Sequence, residues 1–281
     1  MKIIGVTGGK GGVGKSTIAL LLALTLIRQK KTVVLVDADV ECPNDYLLLN
    51  SLLGKKIKTI KAFLPKINSQ KCTGCGLCVK KCPDHALFQP KDKIPFVLPE
   101  LCAHCGLCRL VCPVGAIEEE KQTIGFVFKK QLNKNLTLLT GKTNGIVEET
   151  GPLVVSLKKV ALEKARQLKA DFVIIDTAAG LHCSVIQALL GIDQALLVTE
   201  STPLGLHDLK LSYDLVNNKL KIPVRAVINQ YDLGQIEPIE QFLKSKKIKT
   251  ALKLAYSKQL VNHYARGKLI DFDTGGIQWN W

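Results

Sequence analysis

A glycine-rich stretch near the start of the chain has the residue types and spacing of a phosphate-binding loop. It reads GGKGGVGKST over residues 8–17 and fits the pattern G-x-x-x-x-G-K-S/T between a strand candidate and a helix candidate. Glycines let the backbone turn its N–H groups inward, so that a polyphosphate can lie against them at a helix N-terminus. Lys15 is expected to reach the β and γ phosphates, and the Ser16 hydroxyl to bind magnesium. The residues predicted to contact nucleotide here are Gly9, Lys10, Gly11, Gly12, Val13, Gly14, Lys15, Ser16 and Thr17.

Carboxylates follow two apolar segments that have the pattern of buried strands. Residues 33–36 lead into Asp37 and Asp39, and residues 172–175 lead into Asp176. Continuous branched apolar runs are typical of buried parallel strands, whose carboxyl ends form the ligand edge of an open α/β sheet. Asp176 in this position is typical of a carboxylate that holds magnesium. The pair after the first strand suits a catalytic role, the capping of a following helix, or both.

Eight of the ten cysteines fall in two runs of the same spacing. Each run reads C-x2-C-x2-C-x3-C-P, and the second begins thirty residues after the first. Three thiolates two residues apart can wrap three corners of an iron–sulfur cubane from one tight loop. A pair of zinc sites is the alternative, but such sites usually combine two C-x2-C pairs or mix cysteine with histidine. The ligand candidates are Cys72, Cys75, Cys78 and Cys82, then Cys102, Cys105, Cys108 and Cys112.

The order of the predicted strands and helices that position these residues indicates a mostly parallel, doubly wound α/β sheet with an inserted α+β domain. Residues 50–71 are rich in lysine, alternate in polarity and contain Pro65, a pattern that predicts an edge strand or a connector. We therefore predict a nucleotide-binding domain of residues 1–67 and 123–281 and an inserted domain of residues 68–122. Further strands are predicted at residues 2–7, 194–199 and 224–229, helices at residues 16–27, 153–168 and 253–266, and a loose extension at residues 275–281.

Composition limits the class of partner. The net charge of +15 permits binding to nucleic acid, but the basic residues lie in short separate runs and aromatic residues, only 5% of the chain, are not interleaved with them. We therefore expect no nucleic-acid partner. No segment approaches the ~18 apolar residues of a membrane span. The chain opens directly in a core strand, which leaves no room for a leader peptide, and its cysteines suit metal ligation more than disulfides; both features predict a cytoplasmic protein.

Lys10 is a second lysine within the loop, and an ordinary phosphate loop does not require it. With Lys10, the motif resembles the deviant Walker A family of the MinD, ParA and nitrogenase iron protein ATPases. In that family the corresponding lysine reaches across a dimer interface to the partner subunit's nucleotide, so the resemblance implies an ATP-dependent homodimer. A solvated loop lysine is the alternative. The resemblance also implies that Asp39 positions or activates the attacking water and that Asp37 lies near magnesium.

The same resemblance implies roles for two later segments. Asp176 and the small residues up to Gly180 resemble the family's second switch, which moves when the γ phosphate is lost. Asn229, at the end of a strand candidate, resembles the asparagine that contacts adenine. The family thus implies a magnesium-dependent ATPase. Its catalytic residues would be Lys10, Lys15, Asp39 and Asp176, and its magnesium ligands Ser16, Asp39 and Asp176.

The two cysteine runs strongly resemble a bacterial ferredoxin with two 4Fe–4S clusters. In such ferredoxins the fourth cysteine of each run binds the cluster of the other run. Carried over by position, one ligand set is Cys72, Cys75, Cys78 and Cys112. The other set is Cys102, Cys105, Cys108 and Cys82.

Two cysteines remain, Cys42 and Cys183, one in each switch segment. Cys183 lies seven residues after Asp176, which resembles the offset of a nitrogenase iron protein cysteine that holds a cluster between two subunits. A second such ligand has no counterpart, since no cysteine lies between Cys112 and Cys183. Buried structural cysteines are the alternative to an additional metal or cluster site.

Three classes of function are compatible with these motifs. The first is an ATP-dependent factor that passes iron, a cluster or electrons to an acceptor protein. The second is an ATPase that drives electrons into a specific reductase. The third is a positioning ATPase with the clusters as a sensor, which we rank last because residues 268–281 form a poor amphipathic helix.

Overall fold

The computed structural model describes residues 1–91, 93–145 and 149–280. The strands are β1 Lys2–Thr7, β2 Val33–Asp37, β3 Lys55–Ile67, β4 Leu87–Phe88, β5 Phe96–Val97, β6 Ile117–Asn133, β7 Leu136–Thr143, β8 Phe172–Asp176, β9 Gln194–Glu200, β10 Val224–Asn229 and β11 Thr250–Leu254. The helices are α1 Lys15–Arg28, α2 Asp45–Leu48, α3 Leu77–Lys80, α4 Leu107–Leu110, α5 Gly151–Gln167, α6 Cys183–Leu189, α7 Pro203–Tyr213, α8 Glu237–Ser245 and α9 Lys258–Ala265.

Within the described ranges, nine strands form one sheet in the order β11-β10-β9-β1-β8-β2-β7-β6-β3. The strands from β11 to β7 run parallel, whereas β6 pairs antiparallel with both β7 and β3. The prediction of a mostly parallel α/β sheet is therefore confirmed. Parallel pairing brings the carboxyl ends of β1, β2, β8 and β10 to one edge, where Asp37 lies beside Asp176 in register.

Alternating residues of the central strands supply two apolar layers, one on each face of the sheet. In β2, for example, Val34 and Val36 belong to one layer and Val33 and Leu35 to the other, and all four are at most 1% exposed. Helix α1 covers the second layer with an almost continuous buried stretch from Ile18 to Leu26. A helix buried so completely holds the loop that precedes it against the sheet edge.

The strands β3 and β6 form a long antiparallel ribbon that leaves the sheet and carries the cysteine segment. Their pairing runs from Lys55 opposite Lys129 to Ile67 opposite Ile117. β3 is the last strand of its sheet, as its lysine-rich pattern predicted. Beyond the ribbon, β4 and β5 form a small hairpin. The predicted limit after residue 67 coincides with the end of β3, whereas the limit after residue 122 falls within β6, which already begins at Ile117.

The C-terminal prediction was partly wrong. Residues 250–254 are strand β11, and only residues 258–265 of the predicted last helix are helical. The prediction failed because a short apolar run can form an edge strand as readily as part of a helix. Residues 277–280 are also packed against the sheet and α1: Trp279 Nε1 donates to Thr25 Oγ1 at 3.3 Å and Asn280 N to Ala251 O at 2.9 Å. Trp281 lies outside the described residues. In the described part of the chain, no helix has the length and apolar character needed to cross a membrane.

Candidate functional site

The phosphate loop connects β1 to α1 and is held by close packing. Gly14 has φ +91°, a left-handed conformation that favours glycine, and a Cβ there would lie 2.5 Å from Asn229 Nδ2. A Cβ on Gly9 would lie 2.7 Å from the Cβ of Asp208. Asn229 Nδ2 in turn donates to the carbonyl of Val13 at 3.0 Å. The sequence therefore needs glycine at these positions for the loop to pack at the helix start.

Both loop lysines are engaged by the protein itself. Lys15 is 7% exposed, and its Nζ donates to the carbonyl oxygen of Lys10 at 2.6 Å. Burial lowers the pKa of Lys15, while Asp176 and Asp39 act in the opposite direction. Lys10 Nζ forms an ion pair with Glu200 Oε1 at 2.6 Å, and both side chains are partly exposed. Sequence reasoning missed Glu200, although an acidic residue at the end of a buried strand was a signal for it.

Two of the predicted carboxylates lie beneath the loop. Asp176 is 1% exposed; burial raises its pKa to about 7, while the Ser16 hydroxyl, which hydrogen-bonds to it, and Lys15 act in the opposite direction. Burial also raises the pKa of Asp37. Asp37 Oδ2 accepts hydrogen bonds from the backbone N–H groups of Asn44 at 3.0 Å and Asp45 at 3.1 Å, where α2 begins. The N-cap residue of α2 is Asn44, so neither Asp37 nor Asp39 is the N-cap that the alternative interpretation predicted.

A third buried carboxylate was not predicted. Asp45 is 0% exposed, and among the described residues neither of its carboxylate oxygens has a hydrogen-bond partner. Burial, followed by the charges of Asp37, Asp176 and Asp39, raises the pKa of Asp45. The sequence gives no periodic signal for it, because Asp45 begins a one-turn helix. Three acidic side chains therefore share this edge with Lys15 as the nearest buried cation.

A cavity of about 340 Å³ opens over the loop, a volume within the range of small-molecule sites. Of the predicted residues, it is lined by Gly11, Gly12, Gly14, Lys15, Ser16, Thr17, Asp39 and Asn229. The other predicted residues of the site, Gly9, Lys10, Val13 and Asp176, do not line it. Asp39 is half-buried, and its Oδ1 accepts from the backbone N–H of Cys42 at 3.3 Å. Backbone N–H groups, a buried lysine, a hydroxyl and a carboxylate thus face one volume, which suits a nucleoside polyphosphate with magnesium.

The eight cysteines of the two runs surround two separate cavities. Each cavity is lined by four of them, grouped as the predicted crossed sets: Cys72, Cys75, Cys78 and Cys112 line one, and Cys82, Cys102, Cys105 and Cys108 line the other. Among the residues described, no three His, Cys, Asp or Glu side chains converge closely enough to hold one metal ion. Each set of thiols therefore encloses a volume and does not meet at a point.

The surroundings of these thiols suit thiolate ligation by a group larger than one ion. Backbone N–H groups donate to the fourth sulfur of each run, from Ala86 to Cys82 Sγ at 3.3 Å and from Ala116 to Cys112 Sγ at 3.2 Å. Burial raises the pKa of the Cys108 thiol to about 11, although the hydrogen bond from the backbone N–H of Arg109 acts to lower it. The Cys108 thiol therefore stays protonated until a metal displaces its proton.

Cys42 and Cys183 lie in the segments that follow β2 and β8. Both side chains are exposed, so the alternative that they are buried structural residues is wrong. Neither lines the cavity over the phosphate loop. A metal or cluster site formed by Cys183, with or without Cys42, stays a prediction.

The chain matches known proteins along most of its length. Residues 4–270 match the family model described as the CobQ/CobB/MinD/ParA nucleotide binding domain. An uncharacterized protein of Methanocaldococcus jannaschii is 34% identical over 268 residues, which cover 95% of this chain and 91% of that protein. A shorter match, to an iron–sulfur cluster carrier protein of Pseudomonas fragi, is 43% identical over 65 residues, 22% of this chain and 23% of that protein.

A solved structure shares the fold. The crystal structure of the cell division ATPase MinD of Pyrococcus furiosus superposes with a TM-score of 0.56 and 18% identity, covering 98% of this chain and 92% of that chain. That structural likeness and the family match over residues 4–270 agree with the phosphate loop, the parallel sheet and the cavity at its edge. The chain is thus a member of the CobQ/CobB/MinD/ParA family of nucleotide-binding domains.

Proposed function

We propose that this protein is an ATP-hydrolysing, nucleotide-switched dimer that carries two 4Fe–4S clusters in a ferredoxin-like insertion. It couples its nucleotide state to the assembly or transfer of metal or of an iron–sulfur cluster, or to the electron delivery that accompanies such transfer. The observation that carries the proposal is that strand β6 belongs to the nucleotide-binding sheet and also forms part of the wall of a cysteine cavity.

Support for the clusters comes from the donor sets. Four thiols around each cavity, with backbone N–H groups directed at sulfur, match the requirements of a cubane bound through four separate iron atoms. The ribbon forms part of both walls: Ile67 and Ile117 line the first cavity, and Phe63 and Pro65 line the second. His104 Nδ1 lies 2.7 Å from the carbonyl oxygen of Phe63 and ties the second cysteine loop to β3. Bound clusters would supply one-electron chemistry or transferable iron.

Support for coupling comes from contacts between the ribbon and the segment that follows β2. The carbonyl of Val40, next to Asp39, accepts from Thr143 N at 2.9 Å, and Asn144 N donates to Ile124 O of β6 at 3.0 Å. A Cβ on Gly141 would lie 2.5 Å from Val40 Cγ1, so the segment lies directly on β7. A displacement of Asp39 therefore acts on the strands that extend to the cysteines.

The nucleotide site and the dimer follow from the two lysines. On nucleotide binding, Lys15 leaves the carbonyl of Lys10 for the phosphates, because a phosphate group is the stronger acceptor. Ser16 and Asp176 would hold magnesium, which would neutralise phosphate charge, and Asp39 orients the attacking water. Lys10 leaves Glu200 for the partner subunit's nucleotide, so that two copies close in the ATP-bound state. The similarity to an iron–sulfur cluster carrier protein over 65 residues supports transfer as the outcome.

The decisive experiment starts with protein purified without oxygen and loaded with ⁵⁷Fe and sulfide. The proposal expects about eight iron atoms per chain and ATP-stimulated loss of label to an apo-acceptor protein, with Lys15→Ala inactive in both hydrolysis and transfer. Iron retained in the donor while an acceptor is reduced catalytically would instead assign electron delivery. Absence of iron from oxygen-free preparations would reject the cluster part of the proposal. Unchanged phosphate release by Lys15→Ala would reject the nucleotide part.

The same assay decides the role of the two switch cysteines. If Cys183, with or without Cys42, holds a transient metal or cluster at the dimer interface, Cys183→Ser should keep the iron of the insertion but lower ATP-stimulated transfer. Transfer and metal content per dimer equal to those of the unmodified protein would reject this role.

A further inference from the structure

The hairpin of β4 and β5 has one covered face and one exposed face. Successive side chains of a strand point to opposite faces, so Leu87 and Val97 share one face and Phe88 and Phe96 share the other. Leu87 is buried in the small core of the insertion, and Val97 packs against that core. Phe88 and Phe96 are 54% and 46% exposed, and their rings meet edge to face with centroids 5.4 Å apart. Two large aromatic rings therefore lie together on the outer face of the hairpin.

The covered side of the same hairpin closes the first cysteine cavity. Pro95, one residue before Phe96, is buried and lines that cavity. The Gln89 side chain ties the hairpin to the first cysteine loop, since its Nε2 donates to the carbonyl oxygen of Gly74 at 2.7 Å and to that of Lys93 at 2.8 Å. A protein that covers the aromatic face would therefore be separated from the first cavity by the hairpin alone.

The first cavity is also the outer one of the two along the β3–β6 ribbon. It is lined by Ile67 and Ile117, which form the last pair of the ribbon. The second cavity is lined by Phe63 and Pro65, which come earlier in β3 and nearer to the nucleotide-binding sheet. Exchange with another protein is therefore expected at the first cavity.

The charges around the hairpin are mainly positive. Residues 71–93 contain five lysines and two aspartates, and one of these aspartates, Asp84, lines the second cavity instead. Lys91 and Lys93 lie between β4 and β5, and Lys80 ends α3; all three side chains are exposed. Within the described part of the chain, none of these three lysines forms an ion pair. An aromatic centre with an unpaired positive rim is complementary to an apolar patch surrounded by carboxylates.

We propose that the outer face of the β4–β5 hairpin is the docking surface for an acidic partner protein, with Phe88 and Phe96 at its centre and Lys80, Lys91 and Lys93 at its rim. The inference rests on the proposed function and names the chemistry of the partner in the transfer. Charge complementarity accelerates the encounter, and the aromatic side chains supply buried contact area. A second copy of this chain is a poor occupant, because each copy carries a net charge of +15 and presents the same lysines.

The test measures binding of the full chain, purified without oxygen, to an oxidised plant-type 2Fe–2S ferredoxin used as an acidic probe protein. Calorimetry should show that Lys91→Glu/Lys93→Glu weakens binding about tenfold or more at about 50 mM salt, and less than about threefold at about 500 mM, where charges are screened. Phe96→Thr keeps a residue suited to a strand and should weaken binding at both salt concentrations. Carbodiimide, which joins lysine to carboxylate, should link the ferredoxin to Lys80, Lys91 or Lys93.

The matched control is Lys244→Glu/Lys246→Glu, which makes the same change of net charge with two exposed lysines at the end of α8 and should bind ferredoxin as the unmodified protein does. Equal weakening in both double variants would overturn the docking surface, as would absence of ferredoxin binding to the unmodified protein. Phosphatidylglycerol vesicles that bind in place of ferredoxin, and are lost in Lys91→Glu/Lys93→Glu, would assign the face to a lipid surface and also overturn it.

Iron analysis of the same preparations keeps the two proposals apart. Full iron content without ferredoxin binding would reject the docking surface and leave the proposed function standing. Ferredoxin binding that depends on Lys91 and Lys93 in a preparation without iron would support the docking surface and reject the cluster part of the proposed function.

Discussion

The nucleotide-binding sheet and the cysteine-bearing insertion differ in how much apolar surface each buries. Two large layers of fully buried side chains cover both faces of the sheet, from Ile4 and Leu35 to Leu139 and Ile175. The buried cluster of the insertion, within the described residues, consists of Leu87, Cys108 and Ile117, and partly buried cysteines pack against it. A segment of this size rarely folds on apolar burial alone.

This difference indicates two sources of stability within one chain. The sheet holds its cavity and loop in place by packing, so it has its shape before any ligand arrives. The insertion encloses two cavities lined with thiols, and metal–sulfur bonds would supply the stability that its small core lacks. The long β3–β6 ribbon allows the two parts to respond separately to loss of their ligands while it remains a physical connection between them.

The largest expected effect separates the two parts by removing one cluster ligand. Cys108→Ala deletes a buried thiol of the set Cys82, Cys102, Cys105 and Cys108. Iron should fall from about eight toward about four atoms per chain, because a cubane that has lost one of its four thiolate ligands is bound more weakly. Limited proteolysis should then cut within residues 68–122, while ADP affinity changes less than about twofold, since the sheet does not depend on metal. Iron and sulfide analysis with a protease time course measures both.

The control for this variant is Cys42→Ser, which removes a thiol outside the two cavities and should keep the iron content. Full iron content in Cys108→Ala would show that Cys108 is not a cluster ligand. Loss of ADP binding together with iron would contradict the separation of the two stabilities.

A smaller effect is expected at the edge of the sheet, at Asp45, a buried carboxylate whose two oxygens both lack partners among the described residues. Burial places the folded-state pKa of Asp45 above its unfolded value, so its contribution to stability is full below pH ~4 and is lost as the pH rises through the folded value. Asp45→Asn cannot ionise. It should raise the free energy of unfolding by about 1–3 kcal/mol at pH 8 and by much less at pH 5. Urea unfolding of the nucleotide-free protein at both pH values measures the difference.

Asp214→Asn is the comparison for this measurement, because the Asp214 side chain is solvent-exposed and its pKa is lowered by the Asn218 side chain. It should show no gain in stability at pH 8. A destabilised Asp45→Asn at that pH would mean that the carboxylate is paired in solution, which contradicts the arrangement described.

How much of this was predictable depended on the range of the interactions. Strand ends were visible because a buried run that stops at Asp37, Asp176 or Asn229 is a local pattern. The repeated cysteine run was visible within one segment, and the crossed sets were implied by its resemblance to a two-cluster ferredoxin. By contrast, the length of β6 is set by its pairing with β3, residue against residue, from Lys129 to Ile117. No local sequence pattern indicates which strand β6 pairs with or over what length. Strand β11 was missed because the sheet edge, not its own residues, makes it extended.

The site residues that belong to a recognisable motif were predicted from the sequence. Those that reach the site only through tertiary contacts were missed. Glu200 lies 190 positions from Lys10, and only the placement of β9 beside β1 brings them together. Tyr264 faces the cavity through the packing of α9. Asp45 stands at the start of an apolar segment with Leu48 and Leu49, but the burial of an acidic residue at a helix start has no signal in the local sequence. Long-range assembly, not residue type, defines these three positions.

The smallest expected effect concerns the Lys10–Glu200 pair and tests whether this pair opposes dimer formation. The cysteine-bearing insertion should be unaffected. Glu200→Gln keeps the shape and replaces the ion pair with Lys10 by a hydrogen bond to a neutral amide, so Lys10 is released more easily. The concentration of a non-hydrolysable ATP analogue needed for half-maximal dimer should fall about two- to tenfold, because a partly exposed pair contributes only modest free energy. Light scattering coupled to size exclusion measures the dimer fraction, and iron content should not change. Glu237→Gln, which neutralises an exposed acid on α8, should leave the midpoint unaltered. If Glu200→Gln instead required more analogue, Glu200 would belong to the closed dimer and would not restrain Lys10.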